Sequence, residues 1–296
     1  MEVRIRRIIL KLVAYTLYAL VAFGVFVYVL FPYDILQQRL IEWVSQEGVQ
    51  LVLTRLRPAF PPGLRAEDIR LQVDQLSPSD AALRIDTLRI QPDWLALLAR
   101  KMQLRFEAKL YRGRLEGDAH YTKIEGTTLW DIKTRFADLD VAQHALLRKD
   151  DKAFIRGRLS GDSTVTLTGD GQVQEGNANL RVQSMALIGA QGWQWQFQRE
   201  IACDTLQGEL KTTAKQGGTV LLTCQGKDLV IEGRGTVGWK TPLTDSQLNM
   251  RGQVRSEEAY KQEVDLLAAL VRKRPGSHGE LSFRLQGPLR QLRLGA

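Results

Sequence analysis

Met102-Gln-Leu-Arg-Phe-Glu-Ala-Lys-Leu110 alternates without a break: Met102, Leu104, Phe106, Ala108 and Leu110 are apolar, while Gln103, Arg105, Glu107 and Lys109 are polar. Successive side chains of an extended chain point to opposite faces, so this stretch predicts a strand with one greasy and one wet face. The same period runs through Trp130, Ile132, Thr134 and Phe136, then Ile155, Gly157 and Leu159, Val165 and Leu167, and Ala178, Leu180 and Val182. Trp193, Trp195 and Phe197 alternate with Gln194, Gln196 and Gln198, and 220–224, 229–239, 248–254 and 281–285 continue the pattern. So many alternating segments predict a mainly β chain built as a long antiparallel sheet with one apolar face. Gly117-Asp118, Gly169-Asp-Gly171 and Gly217-Gly218 read as hairpin turns. Arg112-Gly-Arg-Leu-Glu-Gly117 recurs 44 residues later as Arg156-Gly-Arg-Leu-Ser-Gly161, the spacing of a repeated unit of a few strands.

Three helical segments interrupt the sheet. Asp93–Arg100 is short and very apolar, and Asp140–Arg148 reads as a turn or short helix. Residues 256–273 carry Ser256 as an N-cap, Glu257 and Glu258 at the positive end, and an apolar stripe of Tyr260, Val264, Leu267 and Val271. That stripe either packs on the sheet or plugs an apolar groove.

At the N-terminus, Leu12 to Tyr33 carry no charge, and the apolar run Leu12–Phe31 is 20 residues long. A helix of that length, about 30 Å, crosses the hydrocarbon core of a bilayer. Arg4, Arg6, Arg7 and Lys11 precede it and are the topology determinants, since basic residues are retained in the cytoplasm. A cleaved signal peptide has the same basic start but a shorter apolar region and a small-residue cleavage site, whereas here Phe31-Pro32-Tyr33 follows. A buried core helix is the remaining alternative. Tyr28, Tyr33 and Trp43 suit the outer membrane–water interface. Beyond Pro32, Leu36, Leu40, Trp43 and Val44 have helical spacing, with Asp34 placed to cap and Gly48 to stop. The chain thus divides into 1–33, a basic tail and transmembrane signal-anchor; 34–48, a juxtamembrane amphipathic helix; and 49–296, a β-rich domain. The anchor makes the protein a single-pass inner-membrane protein with a cytoplasmic N-terminus and a periplasmic bulk.

The net charge of +8 is partly this basic start, and the remaining charges alternate in sign along the strands. That is a solvated sheet face, not the clustered Lys and Arg of a nucleic-acid footprint. His120, His144 and His278 are far apart in sequence, and no metalloprotease, nucleophile-elbow or phosphate-loop motif is present. The pair Asp138 and Asp140 reads as a solvated cap. We therefore expect no catalytic residue, cofactor or metal. Cys203 and Cys224 are the only cysteines. They suit one intramolecular disulfide in an oxidising compartment, or else two small buried hydrophobes. With a tight hairpin at Lys215–Gly218, Cys224 would face Glu209, so a bridge requires a bulge, a longer loop or a third strand. Phe106, Trp130, Phe136, Trp193, Trp195 and Phe197 are the residues expected near an apolar groove.

The basic start, single anchor and Phe31-Pro32-Tyr33-Asp34 exit resemble the N-terminus of the protein N (GspN) class of type II secretion systems. Leu51-Val-Leu-Thr-Arg-Leu-Arg-Pro-Ala-Phe-Pro-Pro-Gly-Leu-Arg-Ala-Glu-Asp-Ile-Arg-Leu71 is similar to the strand, Pro-Gly turn and strand that follow the anchor in AsmA-like envelope proteins, and 279–294 to their closing strand. The likeness implies a long, curved AsmA-like β-groove with a few short helices, anchored in the inner membrane. It implies a non-enzymatic component of a type II secretion system, interacting with other secretion-system or envelope proteins. The alternative it carries is a lipid-binding or lipid-transfer groove whose apolar face takes acyl chains. The topology has a direct test: a periplasm-restricted reporter joined after Ala296 should be active, and an active cytoplasm-restricted reporter there contradicts it.

Overall fold

The computed structural model describes residues 2–46, 49–60, 62–73, 83–124, 126–144, 148–149, 152–153, 155–169, 171–187, 201–213, 217–226, 229–240, 245–256, 280–288 and 293–295. Two helices, α1 (Glu2–Leu30) and α2 (Tyr33–Gln46), precede the sheet. Then come β1 (Val49–Ala59), β2 (Gly63–Val73), β3 (Leu83–Pro92), α3 (Trp94–Leu98), β4 (Met102–Leu110), β5 (Gly113–Ile124) and β6 (Thr127–Asp140). A single 3-10 turn at Val141–Gln143 leads to the small hairpin β7 (Arg148–Lys149) and β8 (Lys152–Ala153). The series continues with β9 (Ile155–Thr168), β10 (Val173–Leu187), β11 (Ile201–Thr213), β12 (Gly217–Gln225) and β13 (Leu229–Gly238). It closes with β14 (Gln247–Ser256), β15 (Glu280–Pro288) and β16 (Arg293–Gly295).

Apart from β7 and β8, every strand joins one open antiparallel sheet of 14 strands in chain order, β6 pairing directly with β9. The chain is thus mainly β, a meander in which each strand pairs with its sequence neighbours. Its total accessible surface is 20584 Å², against about 12,700 Å² for a compact monomer of this mass. The exposed helix α1 and the single-layer sheet both contribute to that excess.

The first end of the sheet is capped. Leu36, Leu40 and Ile41 of α2 pack on Leu53, Leu56, Ala66 and Ile69 of β1 and β2. The Gln37 amide donates to Leu53 O at 2.7 Å. Burying each large aliphatic here contributes roughly 1.5–3 kcal/mol, enough to fix the helix on the strands. Asp34 lies in the first turn of α2 and not at the cap position expected for it, because the helix already begins at Tyr33.

Along α1 the side chains of Leu12, Leu17, Leu20, Phe23 and Phe26 are exposed. Among the described residues no helix is long and apolar enough to cross a membrane. The transmembrane span expected over Leu12–Phe31 therefore rests on the sequence and not on the structure.

Two other expectations change. Gly117-Asp118 lies in the middle of β5, and the preceding turn is Tyr111-Arg112, with φ of 49° and 60°. Both φ values are positive across a two-residue loop, as a type I′ turn requires, although neither residue is the usual Gly or Asn. Ser256 is the last residue of β14. The helix expected beyond it and the strand at 193–197 lie outside the described residues.

Gly117 and Gly161 explain the recurring hexapeptide. Gly117 pairs across the sheet with Phe106, and Gly161 with Phe136. A Cβ on Gly117 would meet Phe106 Cζ at 2.6 Å, and one on Gly161 would meet Phe136 Cε2 at 2.9 Å and clash with Asn179 O. Each ring lies over a bare backbone that only glycine provides, a pairing that compensates for the missing side chain. Gly161→Val should therefore lower unfolding stability by about 1–3 kcal/mol through overpacking. Gly238→Ala, where a Cβ meets nothing within 4 Å, should be near neutral. Urea denaturation of both variants tests this, and equal midpoints contradict it.

Candidate functional site

Ladder register decides which side chains share a face. From β3 to β6, Ile90 pairs with Phe106, Phe106 with Gly117, and Gly117 with Thr134. A second row runs Ala108, Leu115, Phe136, Gly161, Leu180 and Gly208. A third runs Val182, Leu206, Cys224, Ile231, Val254 and Leu281. Tyr121, Trp130 and Leu167 form a fourth, with the Tyr121 and Trp130 rings edge-on at 5.3 Å. These rows lie on the same side of the sheet, so one apolar face runs from the α2 cap to β15. Phe106, Trp130 and Phe136 are on it and half-buried. Trp193, Trp195 and Phe197 fall outside the described residues.

The apolar face is not uniformly buried. Around Ala108, Leu110 and Leu139, side chains from β3 to β9 close on one another, including Leu88, Leu115, Phe136 and Leu159. Toward the far end Cys224, Val254 and Leu281 of the third row are buried again, whereas in the middle Val182 and Leu206 are partly exposed and Leu180 is 40 % exposed. One polar pair sits on this face: the Thr134 and Ser163 hydroxyls bond each other at 2.5 Å across β6 and β9.

The opposite face carries the charge. Arg135 pairs with Asp162, Asp118 with Lys133, and Arg89 with Glu107. Two rows depart from this alternation: Arg57, Arg65 and Arg89 stand side by side on β1, β2 and β3, and Arg234, Arg251 and Arg284 on β13, β14 and β15, the latter with Glu232, Gln253 and Ser282 in the adjoining row. This second set lines a shallow groove on the polar face. Charges alternating along each strand hid this cluster, because only the register brings the three arginines together.

Chemistry at the histidines is limited. His120 Nε2 lies 2.9 Å from Asp118 Oδ2 on the same strand, and the Thr166 hydroxyl donates to Asp131 at 2.7 Å. His144 packs beside Tyr111 with ring centroids 5.5 Å apart. Burial pushes the Tyr111 phenol up and the His144 imidazole down, so both are held uncharged at neutral pH. Asp140 accepts from Ala142 N and the Gln143 amide, capping the 3-10 turn, while the Asp138 N–H donates to Ser160 Oγ. The Asp140 carboxylate thus has a local structural task, whereas Asp138 is bonded through its backbone. Among the described residues no group of three or more His, Cys, Asp or Glu is placed to hold a metal.

Lys11 is an exposed residue of α1; Arg4, Arg6 and Arg7 lie on the same helix, their side chains outside the described set. Cys203 and Cys224 are joined in a disulfide with Cα atoms 6.1 Å apart, both buried. The register differs from the tight-hairpin expectation: Cys224 faces Leu206, and Glu209 faces Leu221. The turn therefore lies earlier in sequence, and the bridge runs diagonally from the start of β11 to the end of β12. Comparison with protein-family models, curated proteins and solved structures returns no match for this chain.

The bridge closes a loop of 21 residues' separation, which should stabilise the fold by about 3 kcal/mol, mainly by restricting the unfolded chain. The double variant Cys203→Ala, Cys224→Ala should lose that amount in a denaturation experiment. No change in midpoint contradicts it.

Proposed function

We propose that the chain is a non-enzymatic, single-pass inner-membrane protein with a cytoplasmic N-terminus, whose periplasmic sheet holds lipid acyl chains along its apolar face. The observation that carries this reading is the continuous apolar face of an open sheet, partly exposed along its middle around Val182, Leu206 and Leu180. Contiguous exposed apolar surface on this scale marks a binding site. Acyl chains suit it because they are long, apolar and indifferent to sequence-specific polar contacts, and the rows run across strands as an unbroken track. From β3 to β15 the rows take ten strand-to-strand steps, which at about 4.8 Å each give a track of about 50 Å. The anchor belongs to the same reading: the uncharged stretch Leu12–Phe31, exposed at Leu12, Leu17, Leu20, Phe23 and Phe26, suits lipid better than water.

A second reading is a component of a type II secretion machine that docks other periplasmic parts. What favours it is the likeness at Phe31–Asp34 together with the row Arg234, Arg251 and Arg284, which suits an acidic partner surface. It ranks second because α2, expected to dock other parts, already packs its stripe of Leu36, Leu40 and Ile41 on β1 and β2.

Leu180 and Leu221 allow a matched test, since each is 40 % exposed but they lie on opposite faces. A benzophenone amino acid at Leu180 should cross-link phospholipid in cells, and one at Leu221 should not. Absence of lipid at both positions, or equal capture at both, contradicts the proposal.

A further inference from the structure

Among the links that antiparallel connectivity brings to one end of the sheet are the β1–β2 turn, the β3–β4 link that contains α3, and the β5–β6 turn. The last turn of α1 is fastened to this same end. The Tyr28 hydroxyl lies 2.7 Å from Ala59 O and 2.8 Å from Gly63 O, and accepts the Gly63 N–H at 3.2 Å. The end carries an unusual amount of exposed apolar surface. Phe60 is 89 % exposed, Leu95 80 %, Leu98 83 % and Trp94 48 %. Met102 and Ile124, at the same end of β4 and β5, are also exposed.

These side chains are held out by structure. Asp93 caps α3 by accepting from Leu95 N and Ala96 N at 3.0 and 3.1 Å. The Trp94 indole N–H donates to Pro62 O at 3.2 Å, tying α3 to the β1–β2 turn. The Arg89 guanidinium donates to Phe60 O and fixes that turn to β3. Cations flank the patch: Arg100 and Lys101, just beyond the Ala99 C-cap of α3, are exposed.

We infer that this rim — the β1–β2 turn, α3 and the ends of β4 and β5 — is a foot that rests in the outer interface of the membrane crossed by α1. The inference rests on the spanning reading of α1 and adds a second, monotopic contact to it. An apolar cluster with a tryptophan whose N–H is already bonded, edged by basic residues, matches the boundary between acyl chains and anionic headgroups. Tyr28, joining helix to rim, brings the cluster to that boundary. With the foot seated, the sheet would stand in a defined orientation instead of swinging on a single helix.

Nitroxide labels on the full chain in phosphatidylethanolamine–phosphatidylglycerol vesicles test this, since the native cysteines are bridged. Variants Leu98→Cys, Leu20→Cys and Leu221→Cys report the foot, the span and the polar sheet face. Collisions with oxygen should exceed those with a water-soluble nickel chelate severalfold at Leu98 and Leu20, with the reverse at Leu221. A water-like ratio at Leu98 with a lipid-like ratio at Leu20 overturns the foot and leaves the span. Shielding of Leu98 from both agents means that protein covers the patch, and also overturns the foot. A water-like ratio at Leu20 overturns the span, and the foot with it.

Discussion

Register is the constraint on which the rest of this structure depends. Side chains alternate with a period of two, so a slip of one residue at any of the ladders would turn every later apolar side chain to the wet face. Fourteen strands in one sheet leave many places for such a slip. The ladders keep phase by local devices. Positive-φ residues at Asp68, Asp138 and Ser184 lie where the pairing is interrupted or shifted, at β1–β2, β6–β9 and β9–β10. An irregularity that inserts an extra residue restores the alternation beyond it, because an odd shift is absorbed in the bulge.

Among the described residues the fourteen strands form a single layer, and the chain stiffens it from within. Phe106 and Phe136 lie over Gly117 and Gly161, and Phe283 lies over Gly252 in the same manner, with a Cβ on Gly252 meeting Phe283 Cζ at 2.5 Å. Such pairs let large rings cover backbone without a partner layer. The Cys203–Cys224 bridge fastens β11 to β12 at the end opposite their turn. At the first strand, α2 covers the apolar face where a sheet edge would otherwise be most exposed. What remains half-exposed is the middle of the face, which is where a ligand would lie.

The local half of this architecture was legible from residues alone. The strand over Met102–Leu110 has the boundaries its alternation predicts, and Asp93–Arg100 contains the short helix expected there. Gly117-Asp118 misled because glycine usually marks a turn, whereas here it makes room for Phe106. The true turn, Tyr111-Arg112, carries no glycine signal at all. Cys224 opposite Leu206, and Arg234, Arg251 and Arg284 in one row, were invisible for a different reason. Both depend on where a loop ends and on pairing between strands, which periodicity along a single strand does not encode.

The central claim is that one apolar face stays open along a sheet that does not fold back. A spin-label distance between Arg65→Cys on β2 and Arg251→Cys on β14 tests it most directly. Ten strand steps separate them in the observed order, which places the labels about 40–50 Å apart in an open sheet. Folding back into a two-layer sandwich, with layers about 10 Å apart, would bring them below about 30 Å. The account predicts the long distance, and a dominant short one contradicts it.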